Sequence, residues 1–339
     1  MGKKNRNRVV AFFLMVILCC SNLVIANPQR VYAETQKNLD MCVGDSMSIW
    51  LEGSGETAYQ SSNKKIVSVT TEGKISALKP GSCDITMTKN GYSFVYHITV
   101  TLTGSAKNDK KLKSIAKKLV KKNMTDDEKV KAVHDYMVLN CAYDQENYLN
   151  GTVPQESYAV KGFLENHTAV CEGYAKTFYA FMQIMGIPCR KVSGTGNGGA
   201  HAWNLVKLNG KWFHIDVTWD DPVPDRPGQV RYEYFLLSDK QMSAKAHVWS
   251  GEGLPKCKTS GDRYVSLLGT VCKSKSDVEK QFQKQTSKNV STYFFIFKNG
   301  SGLDEKSVYE FAWAAGINNL YYSKAAYGEK YTLYYFFEK

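Results

Sequence analysis

The 339-residue sequence has no C-x-x-C pair among its nine cysteines, so the ligand spacing of a structural zinc site is missing. A nucleotide-phosphate loop is missing too. The glycine-rich stretch Gly194-Thr195-Gly196-Asn197-Gly198-Gly199 neither opens a helix nor carries the Lys-Ser/Thr of such a loop, and it reads instead as a mobile loop at a cleft edge. No nucleic-acid-binding motif occurs, and past the first residues no stretch is long and apolar enough to cross a bilayer. The sequence therefore points away from nucleic acid and from a transmembrane segment in the mature chain, and no cofactor or metal is expected.

What is present begins with an export signal over residues 1–33. Lys3, Lys4, Arg6 and Arg8 precede the apolar run Val9 to Leu18, and small-residue cleavage sites follow, with Ala33 preferred. Val16-Ile17-Leu18-Cys19 lacks the small residue that a lipoprotein site needs, so a secreted or cell-surface protein without a lipid anchor is expected. The formal charge is +12, and five of those cations fall in the leader with no acid, leaving roughly +7. A surplus of this size suits an anionic cell envelope or peptidoglycan, and equally a solvated lysine-rich surface. Removing Cys19 and Cys20 leaves seven cysteines, an odd number that requires a free thiol or an intermolecular bridge.

Residues 37–103 alternate in short apolar runs, Met47-Ile49-Leu51, Ile66 to Val69, Lys74 to Ala77 and Phe94 to Val100. Glu72-Gly73, Pro80-Gly81 and Asn90-Gly91 punctuate them, which predicts an all-β sandwich. The pattern Gly44-Asp45, Ser61-Ser62-Asn63, Gly73-Lys74-Ile75-Ser76-Ala77 and Pro80-Gly81-Ser82-Cys83-Asp84 resembles the bacterial immunoglobulin-like group 2 domain. The resemblance implies a surface spacer or adhesive module. A lysine-rich amphipathic helix follows, with Leu112, Ile115 and Leu119 on its inner face. Thr125 and Glu128 then form a capping box opening a second helix. A further short helix is expected over Tyr158 to Leu164.

The central stretch is Val170-Cys171-Glu172-Gly173-Tyr174-Ala175. Tyr174, Phe178, Phe181, Met182 and Met185 recur at helical spacing until Gly186 and Pro188 end the run. Cys171 thus falls in the first turn of a buried helix, where unpaired N–H groups and the helix dipole favour a thiolate. Taken alone, such a cysteine is also well explained as a small buried hydrophobe.

Downstream, His201 to Leu208 and Lys211 to Trp219 flank Asn209-Gly210, a strong hairpin signal. That register puts Ala202, Val206, Phe213, Ile215 and Val217 on one side and His201, Trp203, His214 and Asp216 on the other. A thiol at a helix start, an imidazole and a neighbouring carboxylate make the layout of nucleophilic cysteine catalysis. A self-satisfied His–Asp pair is the plainer reading, and a metal held by His201, His214 and Asp216 is a weaker rival.

These motifs, with Met185-Gly186-Ile187-Pro188, His201-Ala202-Trp203-Asn204 and His214-Ile215-Asp216-Val217-Thr218-Trp219-Asp220-Asp221-Pro222, resemble the transglutaminase-like superfamily. The resemblance implies a papain-like α+β core over residues 104–255, with Cys171, His201 and Asp216 as a triad for thiol acyl transfer. Animal transglutaminases carry a tryptophan ahead of the cysteine, and here none lies between Trp50 and Trp203. The Cys171 N–H and the hydroxyl of Tyr158 are the expected oxyanion donors, and Trp203, Trp219, Gly198 and Gly199 the expected cleft residues. This departure favours a peptidase or amidase acting on protein or peptide substrates over a crosslinker. A non-catalytic envelope-binding scaffold is the rival from another class.

Residues 256–339 read as β-α-β-α-β-β: strand Tyr264 to Val271, helix Asp277 to Gln285, strand Thr292 to Phe297, helix Leu303 to Ala315, then Leu320 to Tyr322 and Tyr331 to Phe337. This predicts a small α+β accessory domain, with a ferredoxin-like arrangement as one form it can take. The expected fold class is an all-β immunoglobulin-like sandwich, a central α+β papain/transglutaminase-like core and this C-terminal α+β unit.

Overall fold

A computed structural model describes residues 35–288 and 290–338, and the expected leader lies outside the described residues. The N-terminal unit is a two-sheet sandwich. Strands Thr35–Cys42, Tyr92–Thr101, Gly81–Lys89 and Ala58–Ser61 lie side by side in that order, facing a three-stranded sheet of Ser46–Ser48, Lys74–Ala77 and Val67–Val69. Period-two alternation places Cys83, Ile85 and Met87 of one strand inward, against Val67, Ile75, Ile98 and Val100. Thr35–Cys42 was not apparent from the sequence. It runs parallel to Tyr92–Thr101 in an unbroken ladder from Thr35 opposite Phe94 to Cys42 opposite Thr101.

Two helices lead into the central unit. Ala106–Leu119 buries Leu112 and Ala116 and leaves Lys107, Lys110, Lys113, Lys117 and Lys118 in solvent. Asp126–Asn140 begins at the expected capping box, in which Thr125 and Glu128 satisfy each other's backbone N–H groups, and it buries Val130, Val133 and Met137. The expected short helix over Tyr158 to Leu164 forms in part: a tight 3-10 turn, Gln155–Tyr158, is followed by a helical turn that widens into a π-helix at Gly162–Asn166. The backbone there is pressed against its neighbours: a Cβ on Gly162 would lie 2.6 Å from the Glu156 carbonyl oxygen.

Helix Cys171–Met185 lies at the centre of the molecule. Tyr174, Phe178, Phe181 and Met182 are fully buried, and Gly186, at φ 71°, terminates the helix in the left-handed conformation. The helix packs on a four-stranded antiparallel sheet ordered Lys211–Ile215, Gly199–Leu208, Cys189–Gly196, His247–Val248. Asn209 and Gly210, at φ 50° and 77°, turn the expected hairpin, with Leu208 opposite Lys211 and Asn204 opposite Ile215. Pairing ends there, because Asp216 caps a short helix, Val217–Asp220.

The glycine-rich stretch is not a separate mobile loop. Strand Cys189–Gly196 runs into it, and Asn197-Gly198, at φ 48° and 80°, makes a two-residue turn into Gly199–Leu208.

In the C-terminal unit the expected strand Tyr264 to Val271 is two helical turns, Gly261–Tyr264 and Val265–Leu268, followed by the two-residue strand Val271–Cys272. Helical spacing lets Tyr264, Val265 and Leu268 all point into the central core. The other elements occur as expected: helices Lys275–Thr286 and Glu305–Ala314, and strands Thr292–Lys298, Leu320–Tyr327 and Tyr331–Glu338. Sheet order is Val271–Cys272, Thr292–Lys298, Tyr331–Glu338, Leu320–Tyr327. Ending in an adjacent hairpin, it is not the ferredoxin-like β-α-β-β-α-β chain. One face of the sheet holds its two helices over Phe295, Phe297 and Phe336, while Tyr327, Leu333 and Tyr335 join the central core. All seven cysteines among the described residues are free thiols. No helix among them is long and apolar enough to cross a membrane.

Candidate active site

The cysteine helix and the central hairpin meet at one end. Cys171 is the first helical residue and is half-buried. Gly173 explains how the chain reaches it: turn Gln155–Tyr158 lies across the helix start, and a Cβ on Gly173 would sit 2.4 Å from the Ser157 carbonyl oxygen. Asn204 fixes the helix to the sheet, its buried side-chain amide donating to the Ala175 carbonyl at 3.1 Å.

His201 sits on the strand beside the helix, almost fully enclosed. Its Nε2–H donates to Asp216 Oδ2 at 2.6 Å, and the Cys171 side chain is a second hydrogen-bond partner of the ring. Burial works against the charged imidazole. The charge and hydrogen bond of Asp216, helped by the bond to Cys171, outweigh it and raise the ring to about 10. Asp216 is fully buried, and burial alone would push its carboxyl up; the charge and hydrogen bond of His201, with a hydrogen bond from His247, bring it down to about 2. The other oxygen of Asp216 accepts the Trp219 backbone N–H at 3.2 Å, so the same carboxylate caps the short helix.

Of the remaining expected residues, Trp203 and Trp219 lie against the His201 ring. Trp203 is fully buried, stacked against His201 with centroids 5.7 Å apart, and its indole N–H donates to His214 Nδ1 at 2.9 Å. Trp219 is half-buried, its ring 5.1 Å from His201 and 4.3 Å from His247. Gly196 makes room for it, since a Cβ there would lie 2.7 Å from the indole and 3.3 Å from the His201 ring. Gly198 and Gly199 are exposed at the hairpin tip. Tyr158 ends its turn 38% exposed, with its carbonyl accepting from Lys176 Nζ at 3.1 Å.

His214 does not join His201 and Asp216. It shares the ribbon face with them, but its Nε2 meets Asp239 Oδ1 at 2.9 Å, and burial lowers the ring to about 4. With Nδ1 accepting from Trp203, the proton of this neutral imidazole is on Nε2, which leaves no lone pair for a metal. The trio weighed as a metal site is therefore not assembled.

Two neighbours were not legible beforehand. His247 Nε2 lies 3.0 Å from the same Asp216 oxygen that His201 uses. Tyr143 is raised above an ordinary phenol, first by burial and next by the charge of Cys171, which places it beside the thiol.

Residues 113–217 match the family model of the transglutaminase-like superfamily, and residues 28–100 match that of the bacterial Ig-like domain of group 2. Kyphoscoliosis peptidase of Homo sapiens is 26% identical over 156 residues, 40% of this chain and 23% of that protein. The Mus musculus counterpart is 25% identical over 126 residues, 34% of this chain and 19% of that protein. The chain thus spans less than a quarter of the length of these relatives. A crystal structure of a TGase aligns with 42% of this chain and 35% of its own, at 22% identity and TM-score 0.31. The protein carries a transglutaminase-like superfamily core, residues 113–217, behind a group 2 bacterial Ig-like domain, residues 28–100.

Proposed function

We propose that this chain is a secreted, cysteine-dependent acyl-transfer enzyme in which Cys171 is the nucleophile, His201 the acid–base and Asp216 the group that orients and charges the imidazole. The observation that carries the reading is the position of His201. One ring nitrogen is held by the buried carboxylate of Asp216, and the other side of the ring bonds Cys171 at a helix start. In this mechanism the Cys171 sulfur attacks an amide carbonyl, and the His201 proton goes to the departing amine. Water, deprotonated by His201, then hydrolyses the thioester. First-turn backbone N–H groups at Cys171 stabilise the oxyanion. The substrates are peptide or amide bonds of surface or cell-wall proteins and peptides, with hydrolysis favoured over crosslinking. In this reading residues 37–103 serve as a spacer, 104–255 as the catalytic unit and 256–339 as the accessory unit.

The test is iodoacetamide alkylation of the protein against pH, with the labelled site located by mass spectrometry and repeated in His201→Ala. Fast labelling of Cys171 below about pH 8, lost in the variant, is expected. An inert Cys171 would leave only the scaffold reading. With a glutamine peptide and a primary amine, backbone cleavage by added water, or exchange of the side-chain amide NH2 for OH with release of ammonia, marks hydrolysis or deamidation, whereas incorporation of the amine with release of ammonia marks transfer.

A further inference from the structure

Asp216 carries two imidazoles. Beyond His201, its Oδ2 also meets Nε2 of His247 at 3.0 Å, and both side chains of this second contact are fully buried. The other ring nitrogen of His247, Nδ1, lies 3.0 Å from the Lys245 backbone carbonyl. A carbonyl oxygen only accepts, and so does an ionised carboxylate, so both nitrogens of His247 must donate. Only the imidazolium has two N–H groups. His214 shows the contrast: a donor, Trp203 Nε1, faces one of its nitrogens, and that ring is neutral.

We infer that His247 is held as an imidazolium and acts as a positioning residue, balancing Asp216 so that the proton passes between Cys171 and His201 in an electroneutral buried site. This rests on the thiol acyl-transfer reading above. The balance follows from counting charges. With the thiol and neutral His201, Asp216 and His247 cancel. With the thiolate and protonated His201, two anions meet two cations. Without His247 the buried site carries one uncompensated negative charge in either state, which is costly away from water.

The groups facing His247 are Asp216 at the start of the short helix, His201 and His214 on the ribbon, and the ring of Tyr234, 5.4 Å away. Trp219 closes over it at 4.3 Å. A shared metal ion is the other way to seat His247 Nε2 against Asp216. Ligands at about 2.1 Å from a tetrahedral ion stand about 3.4 Å apart. The contacts here, 2.6 and 3.0 Å, have hydrogen-bond spacing instead.

The centroids of His201 and His247 are 5.3 Å apart. Removing a cation at that range raises both limbs of the Cys171 alkylation profile by roughly one to two pH units, since thiolate and neutral imidazole both form more easily beside a positive charge. The first measurement is the imidazole nitrogen NMR spectrum of the full, metal-free chain at about pH 7. Two protonated nitrogens on His247 are expected; one bare nitrogen overturns the inference, as does a purified protein with a metal ion on Nε2. His247→Gln, which keeps an N–H donor but not the charge, is then alkylated against pH. An upward move of both limbs supports a positioning role, whereas slower labelling with unmoved limbs makes His247 merely structural and overturns it. The spectrum does not require a reactive Cys171, so failure of the enzyme reading and failure of this one are separate results.

Discussion

Asp216→Asn keeps the shape of the buried carboxylate and removes its charge. His201 rises from 6.5 to about 10 in the folded protein, which at 1.36 kcal/mol per pH unit is worth about 5 kcal/mol. Seen from the other partner, Asp216 falls from 3.8 to about 2, worth about 2.5 kcal/mol. The carboxylate gives the smaller figure because its full burial offsets more of the attraction, so about 2–5 kcal/mol brackets one interaction and the two are not summed.

The pH window follows from the directions. A raised histidine stabilises fully below about 6.5, and that contribution is lost as pH climbs to about 10. A depressed carboxylate stabilises fully above about 3.8 and loses that contribution as pH falls to about 2. Thermal melts of wild type and Asp216→Asn should therefore differ most between about pH 4 and about pH 6.5, and converge toward pH 10. Without its anion the buried His201 should be neutral near pH 7, and Cys171 alkylation should fall at least about tenfold, toward an ordinary thiol. A variant that labels with the wild-type pH profile would refute the role given to Asp216.

Three further changes test the scaffold. Phe178→Ala empties a fully buried site under the cysteine helix and should cost about 3–5 kcal/mol in denaturant unfolding. Gly173→Ala puts a methyl 2.4 Å from the Ser157 carbonyl oxygen, so the backbone must move; a loss of about 1–3 kcal/mol and slower Cys171 labelling are expected, and a wild-type labelling rate would contradict the close approach. Thr125→Ala removes the capping box and should cost about 1 kcal/mol in the same unfolding assay while leaving Cys171 labelling unchanged.

Local signals were legible where the backbone itself demanded them. Asn209-Gly210 set the hairpin register, because both residues must adopt positive φ, and that register put His201 and Asp216 on one face. Thr125 and Glu128 announced their helix for a similar reason. Long-range placement was not legible. His247 lies 31 residues beyond Asp216 and arrives through a two-residue strand paired with Thr195 and Gly196, a contact too short to have a pattern of its own. The glycine stretch hid a strand because Gly194 and Gly196 lack side chains to alternate; a Cβ on either would approach Trp203 or Trp219 within 3 Å. Tyr264, Val265 and Leu268 fit either period, and the central core decided for helical turns.

The parallel ladder between Thr35–Cys42 and Tyr92–Thr101 has a mechanical consequence. Parallel neighbours have their beginnings at one end and their finishes at the other. Tension applied at Thr35 and at Thr101 therefore slides one strand along the other and loads the ladder's hydrogen bonds together. An antiparallel pair pulled from its adjacent ends would peel open one bond at a time. The group 2 domain is thus built to resist stretching along the chain, and it would pass a pull on to the unit that follows it through a ladder loaded in shear.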